Sequence, residues 1–334
     1  MTESMNVNFS KLKERLLAVN HPELGHYQEM KDLLCKLVEL DTPTLLLATG
    51  GSKVVAYYLE YILERIGKDN LICTVIEPRD FFYQPNIKNY KNLVAISASG
   101  KTNGIKEALE QFSGNCFLIC EHEQNAPYSV VSWSTEKTEK EHSFTSLLTS
   151  LAPMTLMLDA TTSLDKILTR EEIEKINDTI SSLLEKSEKR STEEDFSHTR
   201  LVQIMSGIDT KPSSSILESN LTETGIAIPI VHDKGSFCHG RSNLLYQYPD
   251  SKMIYLSHKN SEFDNLLIDI LTEQYHNVSI FSPTTDEPYW QEYELMLQMY
   301  YLSKKIASDK NMDVTKPAYN KKLVKTLYQY RGRL

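Results

Sequence analysis

The segment LVAISASGKT, residues 93–102, joins a short apolar run to a cluster of small polar residues. The apolar run predicts a buried strand, and the apolar residues from Ile105 to Phe112 recur with the spacing of a helix. The residues between them, Ser97 to Thr102, contain three hydroxyl side chains and a glycine, and they fill a strand-to-helix turn. Such a turn directs backbone N–H groups, hydroxyl groups and the positive end of a helix dipole to one point, which suits a phosphate. An ordinary Ser or Thr helix cap accounts for the same residues.

Short apolar runs alternate with helical patterns throughout the first half of the chain. Residues 1–42 and 54–63 carry helical periodicity, and strands are predicted at 44–48, 71–76, 93–96 and 116–120. Strands that alternate with helices form right-handed crossovers and a parallel sheet that is covered on both faces. The fold class is therefore α/β.

A second polar loop, TGGS at residues 49–52, follows the first predicted strand. Ligands of parallel α/β sheets gather beyond the carboxyl ends of the strands, near the point where the strand order reverses. The loops 49–52 and 97–102 together predict one shared anion site. Neither loop has the spacing of a Walker motif or of a GxGxxG dinucleotide motif.

The second half repeats the pattern of the first. A charged helical connector at 168–190 and a polar gap at 191–197 precede predicted strands at 200–205, 253–256 and 278–281. Helices are predicted at 214–226, 262–274 and 289–306, and a further helix at 143–159 is expected to be broken or kinked near Pro153. The turn at 257–260, SHKN, lacks the hydroxyl and glycine residues of its counterpart in the first half. The phosphate site is therefore expected in the first copy only.

The composition and charge disfavour two classes of partner. Over 334 residues, 40% are hydrophobic and 24% are charged, as in ordinary soluble globular proteins. The formal net charge of −9 disfavours a nucleic acid or an anionic membrane as partner, but a small phosphorylated ligand is compatible with it.

The five cysteines are odd in number and lack zinc spacing, which indicates a reducing compartment and no metal centre. Without a signal-peptide core in the first thirty residues or an apolar run near the roughly 18 residues of a membrane span, we expect a cytoplasmic protein.

The chain resembles the double sugar-isomerase (SIS) domain proteins over residues 43–330. These include phosphosugar isomerases, fructosamine-6-phosphate deglycases and the isomerase portion of glucosamine-6-phosphate synthase. ISASGKT at 96–102 is similar to the phosphate loop I-S-x-S-G-x-T of that family, and TGGS at 49–52 is similar to its first-strand turn. The resemblance implies that the sugar phosphate is held by four residues, Ser52, Ser97, Ser99 and Thr102.

Three residues of the second half and the tail match catalytic positions of the family. Glu223 lies at the position of the family's catalytic glutamate. His239, the first residue of a His-Gly pair, follows it by sixteen positions, as in the family. Lys322, after the segment DVTKP at 313–317, resembles a lysine whose C-terminal tail folds back to the active site. The chain differs from the synthase at four positions. The synthase has a helix glutamate at the position of Ile216 and a lysine at that of Asn220. It has the proline of an HGP motif at the position of Arg241 and an arginine at that of Ala318.

The resemblance implies an order of domains along the chain and an assembly of identical chains. We expect two tandem three-layer αβα domains of SIS type, similar to flavodoxin, with parallel sheets. Residues 1–42 form an N-terminal helical segment, 43–165 the first domain, 166–197 a connector, 198–312 the second domain and 313–334 the tail. In the family the histidine corresponding to His239 comes from the neighbouring subunit, which implies a homodimer or a larger homo-oligomer.

The implied chemistry is proton transfer between C1 and C2 of a sugar 6-phosphate through an enediol or enaminol, without a metal or organic cofactor. Glu223 is the candidate base, on a helix whose apolar side would partly desolvate it and raise its pKa. His239 is the candidate proton shuttle for ring opening, and Lys322 would open the ring or form a Schiff base.

Each of these residues also has a plainer interpretation: a solvated or capping glutamate, an interface histidine and a solvated lysine. His232 is interpreted as structural. The residues do not decide between isomerase, deaminase and deglycase activity. No glutaminase domain is expected. The alternative from another class is a non-catalytic sensor of phosphorylated sugars.

Overall fold

The computed structural model describes residues 3–19, 26–134, 147–165, 168–258, 262–275 and 277–314, together with 320, 322–323 and 325–326. The chain divides into two compact units. The first unit consists of residues between 12 and 178 and of the described residues after 318. The second unit consists of residues 3–11 and 179–314.

Helices and strands alternate through the first part of the chain, as predicted. In chain order, the elements are α1 (Glu3–Ser10), α2 (Leu12–Val19), α3 (His26–Leu40), β1 (Thr44–Ala48), α4 (Ser52–Ile66), β2 (Cys73–Ile76), α5 (Pro78–Tyr83), a 3-10 turn (Ile87–Asn89), β3 (Asn92–Ile96), α6 (Asn103–Gln111), β4 (Asn115–Cys120), β5 (Ser129–Ser132), α7 (Leu147–Thr162) and α8 (Arg170–Thr192).

The sheet of the first unit is parallel, with the strand order β2-β1-β3-β4-β5. Every residue of β1 and β3 is buried, because helices cover both faces of the sheet. Ala48 at the end of β1 pairs with Ile96 at the end of β3, so these two strands end side by side. Helix α7 packs against α2, α3 and α4 and runs unbroken through Pro153, contrary to the predicted break.

The second unit repeats the α/β arrangement. Its elements after α8 are β6 (Leu201–Ser206), α9 (Lys211–Thr224), β7 (Ile228–Asp233), α10 (Lys234–Ser236), a π-type turn (Phe237–Arg241), α11 (Asn243–Gln247), β8 (Lys252–Leu256), α12 (Glu262–Gln274), β9 (Val278–Phe281) and α13 (Pro288–Asp309). The strand order is β7-β6-β8-β9, and all pairs are parallel. The predicted α/β fold with two parallel sheets is therefore confirmed.

Two strands escaped prediction, and both lie at the edge of their sheet. β5 has only four residues, two of which are serines, and β7 contains Pro229. An edge strand is paired on one side only, so it tolerates a proline and needs no continuous apolar run. No helix among the described residues combines the length and the apolar character that a lipid bilayer would require.

Candidate functional site

The two predicted phosphate loops lie beside each other in the first unit. The chain leaves β1 toward β2 on one side and later returns to β3 on the other side, so the strand order reverses between β1 and β3. The loop 49–52 follows β1 directly, and the loop 97–102 follows β3 directly. Since parallel strands end at the same edge of a sheet, both loops border the crevice in which α/β proteins bind ligands.

The loop after β3 is held in a tight turn by its own backbone. The Gly100 N–H donates to the Ser97 carbonyl oxygen at 2.9 Å, and Gly100 has a φ of 59°, which favours glycine. The hydroxyl oxygens of Ser97 and Thr102 lie 3.4 Å apart. The Lys101 N–H donates to the Ser99 Oγ at 3.2 Å, so the O–H of Ser99 points elsewhere. Ser99 is exposed, and its hydroxyl can donate to a ligand.

The helices that begin at the two loops have no side-chain cap. α4 begins after Gly51, and α6 begins after Thr102, whose hydroxyl makes no capping bond. The helix-cap interpretation therefore does not hold for Thr102. Both helices begin at this edge of the sheet, where the partial positive charge of a helix N-terminus favours an anion.

Ser52 is half-buried at the first position of α4, next to an ion pair. The ammonium group of Lys53 lies 2.9 Å from the Glu77 Oε1. Partial burial opposes the charge on Lys53, but the hydrogen bonds and charges of Glu77 and Tyr57 together outweigh burial and raise the pKa of Lys53. Lys53 is therefore charged, and Glu77 balances this charge.

Glu223 lies in the second unit, in the last turn of α9. Its side chain is exposed, and its Oε1 accepts a hydrogen bond from the Ser219 hydroxyl at 2.9 Å. The expectation that the apolar side of the helix covers Glu223 is wrong for the single chain. Two positions at which the chain differs from the synthase have a packing role. Ile216 is buried, and the Asn220 amide donates to the Ser303 Oγ of α13 at 3.2 Å.

His239 is presented by a kink in the second unit. Within the turn Phe237–Arg241, His239 has a φ of −92° and Gly240 a φ of 107°. The Gly of the His-Gly pair thus adopts a backbone conformation that L-residues avoid, and the kink leaves His239 exposed. His232 is fully buried, and its Nε2 lies 3.0 Å from the Gln203 Oε1. Burial and the charge of Arg241 lower the pKa of His232, in keeping with the structural role predicted for it.

Lys322 lies in the first unit and is exposed. Its carbonyl oxygen accepts a hydrogen bond from the Thr326 hydroxyl at 2.9 Å. Most of the predicted tail motif, from Thr315 to Pro317, and the departure at Ala318 lie outside the described residues.

In the second unit, the buried side chain of Glu292 lies at the start of α9. Glu292 of α13 is fully buried and accepts hydrogen bonds from the N–H and the hydroxyl of Ser213, both at 2.7 Å. His258, which follows β8, places its Nε2 3.0 Å from the Glu292 Oε2 and its Nδ1 3.6 Å from an Asp209 oxygen. Burial raises the pKa of Glu292.

A second ion pair fills the space beside the end of β8. Asp264 is buried and accepts hydrogen bonds from the Tyr255 and Ser257 hydroxyls, while the Lys234 ammonium lies 2.7 Å from it. Burial disfavours the charged form of Asp264, but the bonds from Lys234 and Tyr255 outweigh burial and lower the pKa of Asp264. These side chains satisfy one another, which supports the prediction that the phosphate site belongs to the first copy.

An open cleft of about 640 Å³ lies between α9 and the edge strand β7. It is lined on α9 by Lys211, Ser214, Ser215 and Glu218 and on β7 by Pro229, Val231 and Asp233, among others. Neither Glu223 nor His239 lines it. The predicted catalytic residues Glu223 and His239 therefore lie outside this cleft.

Two of the cysteines have thiols that burial keeps unreactive. Burial raises the pKa of Cys73 to about 12 and the pKa of Cys120 to about 11, so both thiols are protonated at neutral pH. In the described part of the chain, His, Cys, Asp and Glu side chains do not converge in a group of three that could hold a metal ion.

Comparison with known proteins identifies the fold through solved structures. No family model matches the chain, and no curated protein matches it. The C-terminal domain of glucosamine-fructose-6-phosphate aminotransferase from Francisella tularensis superposes with a TM-score of 0.66 at 18% identity, covering 95% of this chain and 98% of that one. The chain has the same fold as this domain.

Two further structures with this fold are enzymes by name. Glucosamine-6-phosphate deaminase from Thermotoga maritima has a TM-score of 0.65 at 14% identity, covering 90% of this chain and 98% of its own. Tagatose-6-phosphate ketose/aldose isomerase from Escherichia coli has a TM-score of 0.63 at 14% identity, covering 95% and 97%. The fold resemblance inferred from the loop motifs is thus confirmed.

Two sets of residues around the sheet edges were missed by sequence reasoning. The contact between Glu292 and His258 was weakly predictable, because a glutamate within the apolar pattern of α13 must be buried with a hydrogen-bonding partner. Gln124, which contacts the phosphate loop, carried none, since it lies in a loop without periodicity.

Proposed function

We propose that this protein binds a sugar 6-phosphate and processes it by proton transfer between C1 and C2. One observation carries the proposal: the two hydroxyl-bearing loops and the two uncapped helices meet where the strand order reverses in the first sheet. Hydroxyl donors and helix N-termini are the groups that bind a phosphate without a metal. Ser52, Ser97, Ser99 and Thr102 are the proposed phosphate ligands.

The proposed chemistry lies several bonds from the phosphate. Glu223 acts as the base that removes a proton from one carbon and returns it to the neighbouring carbon. His239 moves the proton of ring opening, and Lys322 assists at the carbonyl. With oxygen at both carbons the reaction is aldose–ketose isomerisation. With nitrogen at C1 or C2, return of the proton to carbon converts the enaminol into an imine, and addition of water to the imine releases ammonia or an amine, as in a deaminase or a deglycase.

The proposal includes a homodimer in which His239 acts across the interface. Both Glu223 and His239 are exposed in the single chain, so the chain by itself gives neither side chain the partly desolvated environment that tunes an acid–base catalyst. A mixture of Glu223→Gln and His239→Ala chains tests this part, because mixed dimers would regain one intact site. Absence of regained activity contradicts the shared site.

The phosphate site is tested by Ser99→Ala with Ser113→Ala as a matched control. Ser113 is an exposed serine beyond the other end of α6. We expect Ser99→Ala to weaken binding of fructose 6-phosphate about 10-fold, the scale of a hydrogen bond to a charged group. Isothermal titration calorimetry measures this effect, and equal affinities of the two variants would refute the site.

The chemistry is tested by exchange of the C1/C2 proton in deuterated water. Glu223→Gln should slow exchange about 100-fold or more, the scale of a lost general base, while binding of the phosphorylated sugar is retained. An equal loss of binding would instead identify Glu223 as a structural residue.

A non-catalytic sensor is the second candidate. It is favoured by the use of Ile216 and Asn220 for packing, because these positions carry charged residues in the synthase that the chain resembles. A wild-type protein that binds hexose and amino-sugar 6-phosphates but exchanges no proton in any of them would establish the sensor and reject the enzyme.

A further inference from the structure

Gln124 reaches the phosphate loop from the segment that follows β4. Its Nε2 donates to the carbonyl oxygen of Ser99 at 3.2 Å. The two residues are 25 positions apart, and β4 lies next to β3 in the sheet. Gln124 is therefore a contact between neighbouring loops at the same edge of the first sheet.

The shape of the loop is adapted to this side chain. A Cβ atom added to Gly100 would lie 1.8 Å from the Gln124 Nε2 and 2.7 Å from its Cδ. A side chain at position 100 would displace the amide group from its observed position, and only a glycine readily adopts the φ of 59° found here. Gly100 and Gln124 thus fit each other directly.

Gln124 supplies the donor for one of three consecutive loop carbonyls that accept hydrogen bonds. The Ser97 carbonyl accepts from the Gly100 N–H at 2.9 Å, and the Ala98 carbonyl accepts from the Glu121 N–H at 2.9 Å. The Ser99 carbonyl is the third, and its donor is the Gln124 amide. The peptide group between Ser99 and Gly100 is therefore held at both ends, by Gln124 at the oxygen and by Ser97 at the nitrogen.

This restraint matters for an anion. A carbonyl oxygen carries a partial negative charge, and a peptide next to a glycine with positive φ can rotate at low cost. If the Ser99–Gly100 peptide turned over, the Gly100 N–H would lose its bond to the Ser97 carbonyl, and the Ser99 oxygen would move to the side of the loop on which that N–H now lies. Donors that are fixed before binding need no reorganisation when the ligand arrives.

We propose that Gln124 is a positioning residue of the phosphate loop, which keeps the Ser99 carbonyl turned away from the bound phosphoryl group. The proposal rests on the proposed function of the loop as a phosphate site. Gln124 acts through the loop conformation, and it accounts for part of the affinity for any phosphorylated ligand.

The test compares Gln124→Ala and Gln124→Glu with the same changes at Gln111. Glutamate has the shape of glutamine but cannot donate to the Ser99 carbonyl when ionised, and its charge repels a phosphate. Gln111 is exposed at the far end of α6 and makes a matched control. The probe is fructose 6-phosphate, with inorganic phosphate as a second probe, measured by titration calorimetry.

We expect the dissociation constant to rise about 3- to 10-fold in Gln124→Ala, the scale of one hydrogen bond. The rise should be larger in Gln124→Glu, equal for both probes, and absent in the Gln111 variants. The melting temperature without ligand should change by no more than in those controls, which separates positioning of the loop from stability. Unchanged affinity in Gln124→Glu would overturn the proposal.

A double-mutant cycle with Gly100→Ala provides a second measurement. The added Cβ displaces the Gln124 amide, so Gly100→Ala and Gln124→Ala remove the same contact, and their effects on affinity should be less than additive. Full additivity would contradict the proposal. If the wild type binds neither probe, the proposed function itself fails. If Ser99→Ala loses affinity while the Gln124 variants do not, only the inference about Gln124 fails.

Discussion

Asp159 shows what burial does to one titratable residue. It is fully buried in α7, and neither carboxyl oxygen has a hydrogen-bond partner among the described residues. Burial raises the pKa of Asp159 well above its ordinary range, so the native state favours the protonated form. The unfolded chain releases that proton near the ordinary Asp pKa of about 3.9.

We predict that Asp159→Asn stabilises the protein at neutral pH. Because the folded-state pKa of Asp159 is raised, its contribution to stability is complete below the unfolded pKa and is lost as the pH rises toward the folded pKa. The advantage of the variant should therefore grow by up to about 1.4 kcal/mol per pH unit above about pH 4, until the folded pKa is reached. Urea unfolding at several pH values measures it.

Asp69→Asn is the matched control for this prediction. Asp69 is exposed in the same unit, so removal of its charge should leave the pH profile of the unfolding free energy almost unchanged. A constant difference between wild type and Asp159→Asn across the pH range would show that Asp159 is ionised in the native state.

At the scale of elements, α9 depends on a residue of α13. The carboxylate of Glu292 accepts from the N–H and the hydroxyl of Ser213 in the first turn of α9, and His258 holds its other oxygen. An anionic acceptor at this position satisfies a helix N–H group and interacts favourably with the helix dipole. The contact fastens the two helices that pack together in the second unit.

We predict that Glu292→Ala destabilises the protein by about 3 kcal/mol, because it leaves the buried Ser213 donors without an acceptor and opens a cavity. Glu292→Gln, which keeps one oxygen acceptor, should cost less. Glu287→Ala is the control, since Glu287 precedes the same helix but is exposed and makes no capping bond. Chemical denaturation measures all three, and equal stability of Glu292→Ala and Glu287→Ala would contradict the prediction.

The edge strand β7 shows how an element can limit its own pairing. The Ile228 N–H donates to the Arg200 carbonyl at 2.9 Å, so the alternate positions 229, 231 and 233 face away from β6. Pro229 has no N–H group, which removes one donor from the free edge. Proline and charge at an edge discourage the addition of a further strand, and Asp233 supplies the charge at the other end of β7.

At the scale of the whole molecule, a negatively charged protein carries the proposed anion site. The formal net charge is −9, yet the first sheet directs hydroxyl groups and two helix N-termini to one edge. Short-range donors decide binding at that edge, because salt at physiological strength screens charges more than about 8 Å away.

We predict that a phosphorylated sugar raises the melting temperature while its unphosphorylated parent does not. A ligand at 100 times its dissociation constant stabilises the native state by about 2.7 kcal/mol. Differential scanning fluorimetry with glucosamine 6-phosphate and with glucosamine measures the difference, and Ser99→Ala should diminish it. Equal shifts with both sugars would show that the phosphate is not recognised.

Local patterns predicted the parts of the fold that local interactions decide. The apolar run before Ser97 and the helical spacing after Thr102 located β3 and α6, and the same reasoning located β1 and α4 around Ser52. Edge strands escaped because half of their pairing surface is free. β7 combines Pro229 with an exposed Ile228 and therefore lacks the alternation of a half-buried strand.

Contacts between distant residues were beyond local patterns. Gln124 meets Ser99, and Glu292 meets Ser213 and His258, only because the sheets bring separate loops and helices together. The exposure of Glu223 is of the same kind, since it depends on what packs around α9 and not on the periodicity of the helix.

The sequence by itself determined the α/β class, the repetition of the unit and the position of both hydroxyl loops, because strand and helix periods and glycine-rich turns act over a few residues. Only the tertiary structure decided which side chains fill the edge of the second sheet. In the first unit the loops of β1 and β3 lead into helices without side-chain caps, while in the second unit Glu292 accepts from the first turn of α9 and Asp264 pairs with Lys234. The physical reason is that an anion site requires unsatisfied donors, and satisfaction is a property of packed neighbours.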